Sequence, residues 1–383
     1  MLKAVVGHSL DPAASSAVED LVEQCEEQLA GRAPGVAVLL SAIGVDHKTI
    51  LEGIAKAYPG VPLIGCTTDG ELSSQEGFNE GSTTLLLLLS DTLEFSVGLG
   101  RELSKGPQRA AAQAVERARA SLSQEPRLCL IVPESLTASA TQALDGLRDA
   151  LGDDFPILGG LASDQWRFEN TYQFFGAEVL QDTLPVLLIG GPARFSWGVA
   201  SGWRPLGEQQ EVTETAGNVV ARIGERTALE YYQHYLGDHV LPSGESPLAV
   251  IEPNSGRHYL RAPLAYDQER GTITFAGDVP LGASVQLTSA SRDEIIAASR
   301  ESIDEAKRDY PGDEPSIAIV FSCAARKQLL GTRTREEERT LKRALDESLP
   351  LFGFYAYGEF APLGRGNAAQ FHNETIVTLL LGS

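Results

Sequence analysis

Basic residues are scarce in this chain, and its few cysteines are poorly spaced for metal or redox work. Lys and Arg number 31 against 52 Asp and Glu, giving a net charge of −21. Such a field repels phosphate backbones and anionic membrane surfaces, which argues against nucleic acid as a partner. The four cysteines, Cys25, Cys66, Cys129 and Cys323, form no CxxC and no metal-ligand spacing, so a reduced cytoplasm is the expected setting. No apolar run approaches the roughly 20 residues of a membrane-spanning helix. The longest, LLLLL at Leu85 to Leu89, suits a buried strand, and no membrane insertion is expected. The opening MLKAVVGHSLDP breaks its apolar run at His8 and does not read as a signal peptide. No P-loop and no HExxH occur, and GFYAYGE is not a dinucleotide fingerprint.

What is there is a phrase written three times. VPLIGCTTDGEL begins at Val61, FPILGGLASD at Phe155, and LPLFGFYAYGEFAP at Leu349. Each copy follows a hydrophobic run and a helical pattern: VAVLLSA, LCLIVPE and IAIVFSC are the runs. Each precedes a second apolar strand, TTLLLLLS, PVLLIGG or TIVTLLL. The reading is a β-α-β unit with a returning strand, and EFSVGLG and RFSWGVA add a further strand to the first two copies. Before the first copy the chain opens β-α, with Asp11 as a capping side chain before Pro12. The fold class is α/β: mixed β-sheets with outer helices, built from pseudo-repeated β-α-β-β units. A chain of 383 residues is too long for one compact core, so two domains are expected, 1–208 and 209–383. Between copies two and three, VTETAGNVVARIGERTALEYYQHYL reads as mostly helical with a break near Gly224. The segment from Tyr259 alternates and turns like a β-meander.

In open α/β sheets, ligands gather beyond the carboxyl ends of strands. The repeated Pro and Gly are explained by backbone turning, with the phrases ending strands. The loops that follow differ from copy to copy, which is how function is grafted on a repeated scaffold. They supply the candidate ligand-binding residues Cys66, Thr67, Thr68 and Asp69, then Ser163 and Asp164, then Tyr355, Tyr357 and Glu359. Arg261 and Arg326 are candidates to fork a ligand carboxylate, although an ordinary salt bridge is the commoner fate of an arginine. Cys323 ends a strand, as Cys66 does; either could be a nucleophile beside a histidine, but buried cysteine usually serves as a small hydrophobe. No flanking signature supports a thiol hydrolase. His372 is either a hydrogen-bonded structural histidine or, if haem binds, the axial ligand.

The ordered set PLIGCTTDGEL, EGSTTLLLLL, YLRAPLAYDQERGTITFAGDVPLG, FSCAARKQLLG, GFYAYGEFAP and FHNETIVTLLL resembles the FIST family across nearly the whole chain. The resemblance makes 1–208 a FIST N-terminal domain and 209–383 a FIST C-terminal domain. It implies a cytoplasmic sensory protein of bacterial signal transduction, not an enzyme. Its ligand would be an amino acid or small metabolite lodged between the halves. Its output would pass to a separate partner protein, since no fused output domain is read in the chain. A second implication is a haem-binding nitric-oxide sensor that regulates a histidine kinase. No cofactor is certain from the residues.

Overall fold

The computed structural model describes residues 1–237, 239–252, 257–346 and 348–383. Three α/β units follow one another along the chain. The first opens with strand Lys3–Ser9 and helix Ala14–Leu29. Strand Val36–Ala42, helix His47–Ala57 and strand Leu63–Thr68 form its crossover. A hairpin, Glu71–Ser73 with Gly77–Asn79, and a returning strand, Thr83–Leu89, complete it. The second repeats this order from Glu94–Arg101 to Thr183–Gly190, and the third from Arg194–Ala200 to Ile376–Gly382.

In every unit the two crossover strands run parallel, as in Val38 opposite Ile64 and Val320 opposite Gly353. The returning strand is antiparallel to the first of them. The opening strand pairs on the outer side of the returning strand. EFSVGLG and RFSWGVA therefore do not close copies one and two. They open units two and three, pairing with Thr183–Gly190 and Ile376–Gly382. Two-residue alternation marks a strand but says nothing about its partner.

The hairpins travel. Glu71–Ser73 of the first unit pairs with Leu351–Ala356 of the third. Gln173–Phe175 of the second pairs with Leu63–Thr68 of the first. Glu359–Pro362 of the third pairs with Ile157–Gly160 of the second. Each six-stranded sheet is thus finished by another unit, and the three close into a ring. Leu40, Leu130 and Phe321, one from each sheet, share a central buried cluster. The outer face of each sheet is covered by its own helices.

The Pro-x-x-Gly phrases start strands rather than end them. A Cβ on Gly65 would lie 1.9 Å from the Leu39 carbonyl oxygen; on Gly159, 2.0 Å from that of Ile131; on Gly353, 2.2 Å from that of Val320. Each glycine lets its strand pass close to its parallel neighbour, which explains why the phrase recurs.

The third unit carries an insertion, from Arg204–Ala216 to Ser284–Ser289, between its opening strand and helix Arg292–Asp309. It is mostly a β-meander. The stretch expected to be helical contains strands Val219–Ile223 and Arg226–Thr227, and only Ala228–Leu236 is helix. Its Val and Thr residues favour strands, and Gly217 (φ +62°) supplies the left-handed turn between two of them. The first helix starts at Ala14, later than expected. Asp11 accepts the Ala13 backbone N–H at 2.8 Å but does not cap the helix.

Candidate functional site

The ring brings the three diversified loops together. The Asp69 backbone N–H donates to the Tyr355 carbonyl, and the Tyr355 N–H to the Gly70 carbonyl, both at 2.9 Å. Ser163 joins both neighbours. Its N–H donates to Thr67 O at 2.9 Å, and its hydroxyl to Tyr355 O at 3.1 Å. Leu161 N–H reaches Gly358 O at 2.9 Å. Thr67, Thr68, Asp69, Ser163, Asp164, Tyr355 and Glu359 are all buried there. Cys66 lies in the central cluster with its thiol pushed well up by burial and by Glu71.

Two different environments lie on either side of this junction. On the second unit's side, Asp164 gathers donors: Phe168 N–H at 3.0 Å, Glu169 N–H at 2.7 Å, Asn170 N–H at 3.1 Å and the Tyr357 hydroxyl at 2.6 Å. Burial opposes its ionisation, but the Tyr357 hydroxyl and those N–H groups hold it below the ordinary aspartate value. The loop it fastens holds Gln165, Trp166 and Phe168 at positive φ. Trp166, Phe168 and Tyr357 form an aromatic patch, with ring centroids 5.2 to 5.7 Å apart. Trp166 Nε1 donates to Asp69 at 3.1 Å, and Lys327 Nζ pairs with the same carboxylate at 2.9 Å. Trp166 and Lys327 are members that sequence reasoning missed. Lys327 stands beside Arg326 in FSCAARK, but no spacing rule ties it to Asp69.

On the third unit's side lies a buried acidic chamber. Glu359 accepts the Thr375 hydroxyl at 2.6 Å through one oxygen; its other oxygen has no hydrogen-bond partner among the described residues. Glu374 has none on either oxygen, is fully buried, and has φ +56°. A non-glycine residue held in that region signals a backbone constrained by its surroundings. Burial raises the Glu374 carboxyl to about 8 despite nearby Arg326. Glu359 is pushed well above its ordinary value, by burial first, then by Glu374. Cys323 faces both. Burial and these two carboxyls push its thiol far up, although the Ala325 and Glu374 backbone N–H groups favour the thiolate.

Glu374 also escaped the sequence reading. The available signal was an acidic residue directly after His372-Asn373 and immediately ahead of an apolar strand.

The arginines expected to fork a ligand spend most of their donors on the protein, although the buried Arg326 Nε has no hydrogen-bond partner among the described residues. Arg326 is fully buried. It pairs with Glu337 at 2.5 Å and donates to Ser201 O at 2.6 Å, Ile295 O at 2.8 Å and the Ser299 hydroxyl at 3.0 Å. Tyr355 donates its hydroxyl to the same Glu337. Arg261 donates to Asp278 O at 2.9 Å, Leu260 O at 3.0 Å and Phe371 O at 2.7 Å. It also stacks over Tyr259, 4.4 Å from the ring centre. Arg261 thus fastens the insertion to the strand that leads into Glu374.

The surroundings of His372 do not fit a haem. The ring is fully buried, and Nε2 is 2.9 Å from the Ala361 carbonyl. Burial lowers its pKa to about 4. The hairpin strand Ala369–His372 holds it fully buried, with Nδ1 lacking a hydrogen-bond partner among the described residues and no open face for a macrocycle.

A cleft of about 620 Å³ borders the acidic chamber. Its walls include Ser243–Ser246 of the insertion and Ala325, Gln328 and Arg292 of the third unit. A Cβ on Gly244 would sit 2.9 Å from Glu374 Oε1 and 4.0 Å from the Ala325 Cβ. Gly244 is therefore the partition between cleft and carboxylate.

Sequence comparison places this architecture. A FIST N domain model matches residues 35–226 and a FIST C domain model matches 228–362. The chain belongs to the FIST family. FIST domains are sensory, small-ligand-binding modules of signal transduction. An uncharacterized protein of Mycobacterium tuberculosis is 24% identical over 383 residues, covering 95% of this chain and 96% of the relative. An uncharacterized protein of Methanocaldococcus jannaschii is 23% identical over 360 residues, covering 86% and 68%. Among solved structures, a cyanuric acid hydrolase from A. caulinodans aligns over the whole of both chains at TM-score 0.40 and 9% identity. That likeness carries no argument about this FIST protein's activity. No helix among the described residues is long and apolar enough to cross a membrane.

Proposed function

We propose that this FIST protein senses a small metabolite of amino-acid size in the cleft between the insertion and the third unit, and signals to a separate protein such as a histidine kinase. The observation that carries the reading is Glu374: buried, at positive φ, with neither oxygen hydrogen-bonded among the described residues. Buried carboxylate oxygens are normally satisfied, and leaving them bare costs stability. A ligand group that completes them regains that energy only in the bound state. The insertion supplies one wall of the cleft and the ring the other. A ligand that fits one relative placement of the two better than another shifts that equilibrium by the difference in affinity.

Thermal-shift screening against amino acids, amines and small organic acids tests this reading. A true ligand raises the melting temperature by mass action, and Glu374→Gln abolishes that rise. A ligand whose stabilisation is undiminished in that variant would move the site elsewhere. Haemin followed by gel filtration is expected to leave no stoichiometric Soret band.

A further inference from the structure

We infer that the group received by the acidic chamber is a primary ammonium, so that the ligand is an aliphatic amine admitted past Gly244. This rests on the cleft reading above and names its ligand class. Among the described residues, three carboxylate oxygens here stand without donors: Glu359 Oε1 and both oxygens of Glu374. A primary ammonium carries three N–H donors and no acceptor. An anion or a carbonyl compound would bring more acceptors to these oxygens, and the unpaired donor nearby, Arg326 Nε, belongs to a guanidinium already paired with Glu337.

Charge points the same way. Arg326 is the cation near both carboxyls, but it is already paired with Glu337 at 2.5 Å. Glu359 and Glu374 have no counter-ion of their own among the described residues. Two buried carboxylates without one cannot both ionise cheaply, and an incoming cation supplies what is missing. The groups facing Glu374 are Arg326, Glu359 and the Cys323 thiol.

The way in is set by Gly244. With no side chain there, only the loop backbone stands between the cleft and Glu374 Oε1. The chain Ser243–Ser246 has to move aside to let a narrow methylene-ammonium end through. Next to the same cleft, Arg292 is exposed on the third unit, its Nε donating to Leu329 O at 2.8 Å.

The test is calorimetric titration of the full chain with n-butylammonium, tetramethylammonium and butyrate. Saturable binding of n-butylammonium is expected, at least tenfold weaker in Glu374→Gln and unchanged in the surface control Glu23→Gln. Tetramethylammonium has the charge but no N–H donor, and butyrate has the wrong charge; neither binds. Gly244→Val places a side chain between cleft and carboxylate, its Cβ 2.9 Å from Glu374 Oε1, and should block the amine. Equal binding of both cations, indifferent to Glu374→Gln, would be surface attraction to an acidic protein and would overturn the inference. If a screened compound of another class binds and loses its binding in Glu374→Gln while amines do not bind, the ammonium assignment falls and the cleft reading stands. If a compound binds undiminished in Glu374→Gln, the cleft reading falls with it.

Discussion

Asp164 and Glu374 are both buried carboxyls at the same end of the ring, and they live under opposite rules. Asp164 takes four donors and is held ionised. Glu374 takes none among the described residues, and burial raises its carboxyl to about 8. Both accompany positive φ at non-glycine residues. The first carboxylate offsets its strain, because it accepts three backbone N–H groups of the loop that carries it. The second adds an uncompensated cost to a strained turn. A structure that spends stability at one acid and gains it at its counterpart separates a structural device from a binding device.

The largest effect expected from this contrast is at Asp164. In Asp164→Ala, three backbone N–H groups and a tyrosine hydroxyl lose their acceptor together. We expect a loss of about 4 kcal/mol, measured by urea unfolding. Trp166 fluorescence should shift toward that of an exposed indole as its loop is released. A loss under 1 kcal/mol with unchanged fluorescence would make Asp164 as dispensable as a surface acid and break the contrast.

Glu374 should behave in the reverse sense. Burial raises its folded-state pKa to about 8, well above the ordinary glutamate value. The native state therefore holds a proton that the unfolded chain has released, and stability falls as pH rises from about 4.5 through 8. The change is on the order of a few kcal/mol. Glu374→Gln stays neutral at every pH, so it should flatten the melting-temperature profile over that window and leave the variant more stable than the parent at pH 8. An identical slope in both proteins would place the titration on another group, with Glu359 the first to examine.

How much of this could be read from residues alone follows from the same pair. The three Pro-x-x-Gly phrases disclosed the repeated units, because a glycine beneath a neighbouring carbonyl is a local requirement. The strand patterns disclosed mixed sheets and outer helices. They did not disclose that each hairpin is lent to another unit, since hydrogen-bond partners leave no mark in alternation. Asp164 was legible as a polar residue in a diversified loop. Glu374 was not, since its significance lies in the donors it lacks, which depend on how the insertion and three strands surround it. The arginines were misleading for a related reason. Arg326 does follow its strand directly, but the distant Glu337, Ser299 and Ser201 had already claimed it.

The smallest effect lies between the two acids, at Asp69. Burial raises its carboxyl to about 6, while Lys327 pulls it down. Lys327 also donates to the Asp69 carbonyl at 2.6 Å and pairs with the exposed Glu80 at 2.8 Å. The folded pKa lies above the ordinary aspartate value, so this group's contribution to stability falls as pH rises through about 6. Lys327→Gln removes the opposing charge, and the Asp69 carboxyl should climb further. Trp166 Nε1 donates to that carboxylate, so indole fluorescence should report the titration directly. Its midpoint is expected to move upward by a pH unit or so, at a cost of about 1 kcal/mol in stability at pH 7. Because Lys327 belongs to the same short helix, Ala324–Leu330, as Ala325 at the cleft, the titration also tests whether the two acid sites are linked. An amine that binds beside Glu374 should displace the Trp166 midpoint in the parent protein. A midpoint indifferent to the amine would leave Asp164 and Glu374 as neighbours that share a ring but not a signal.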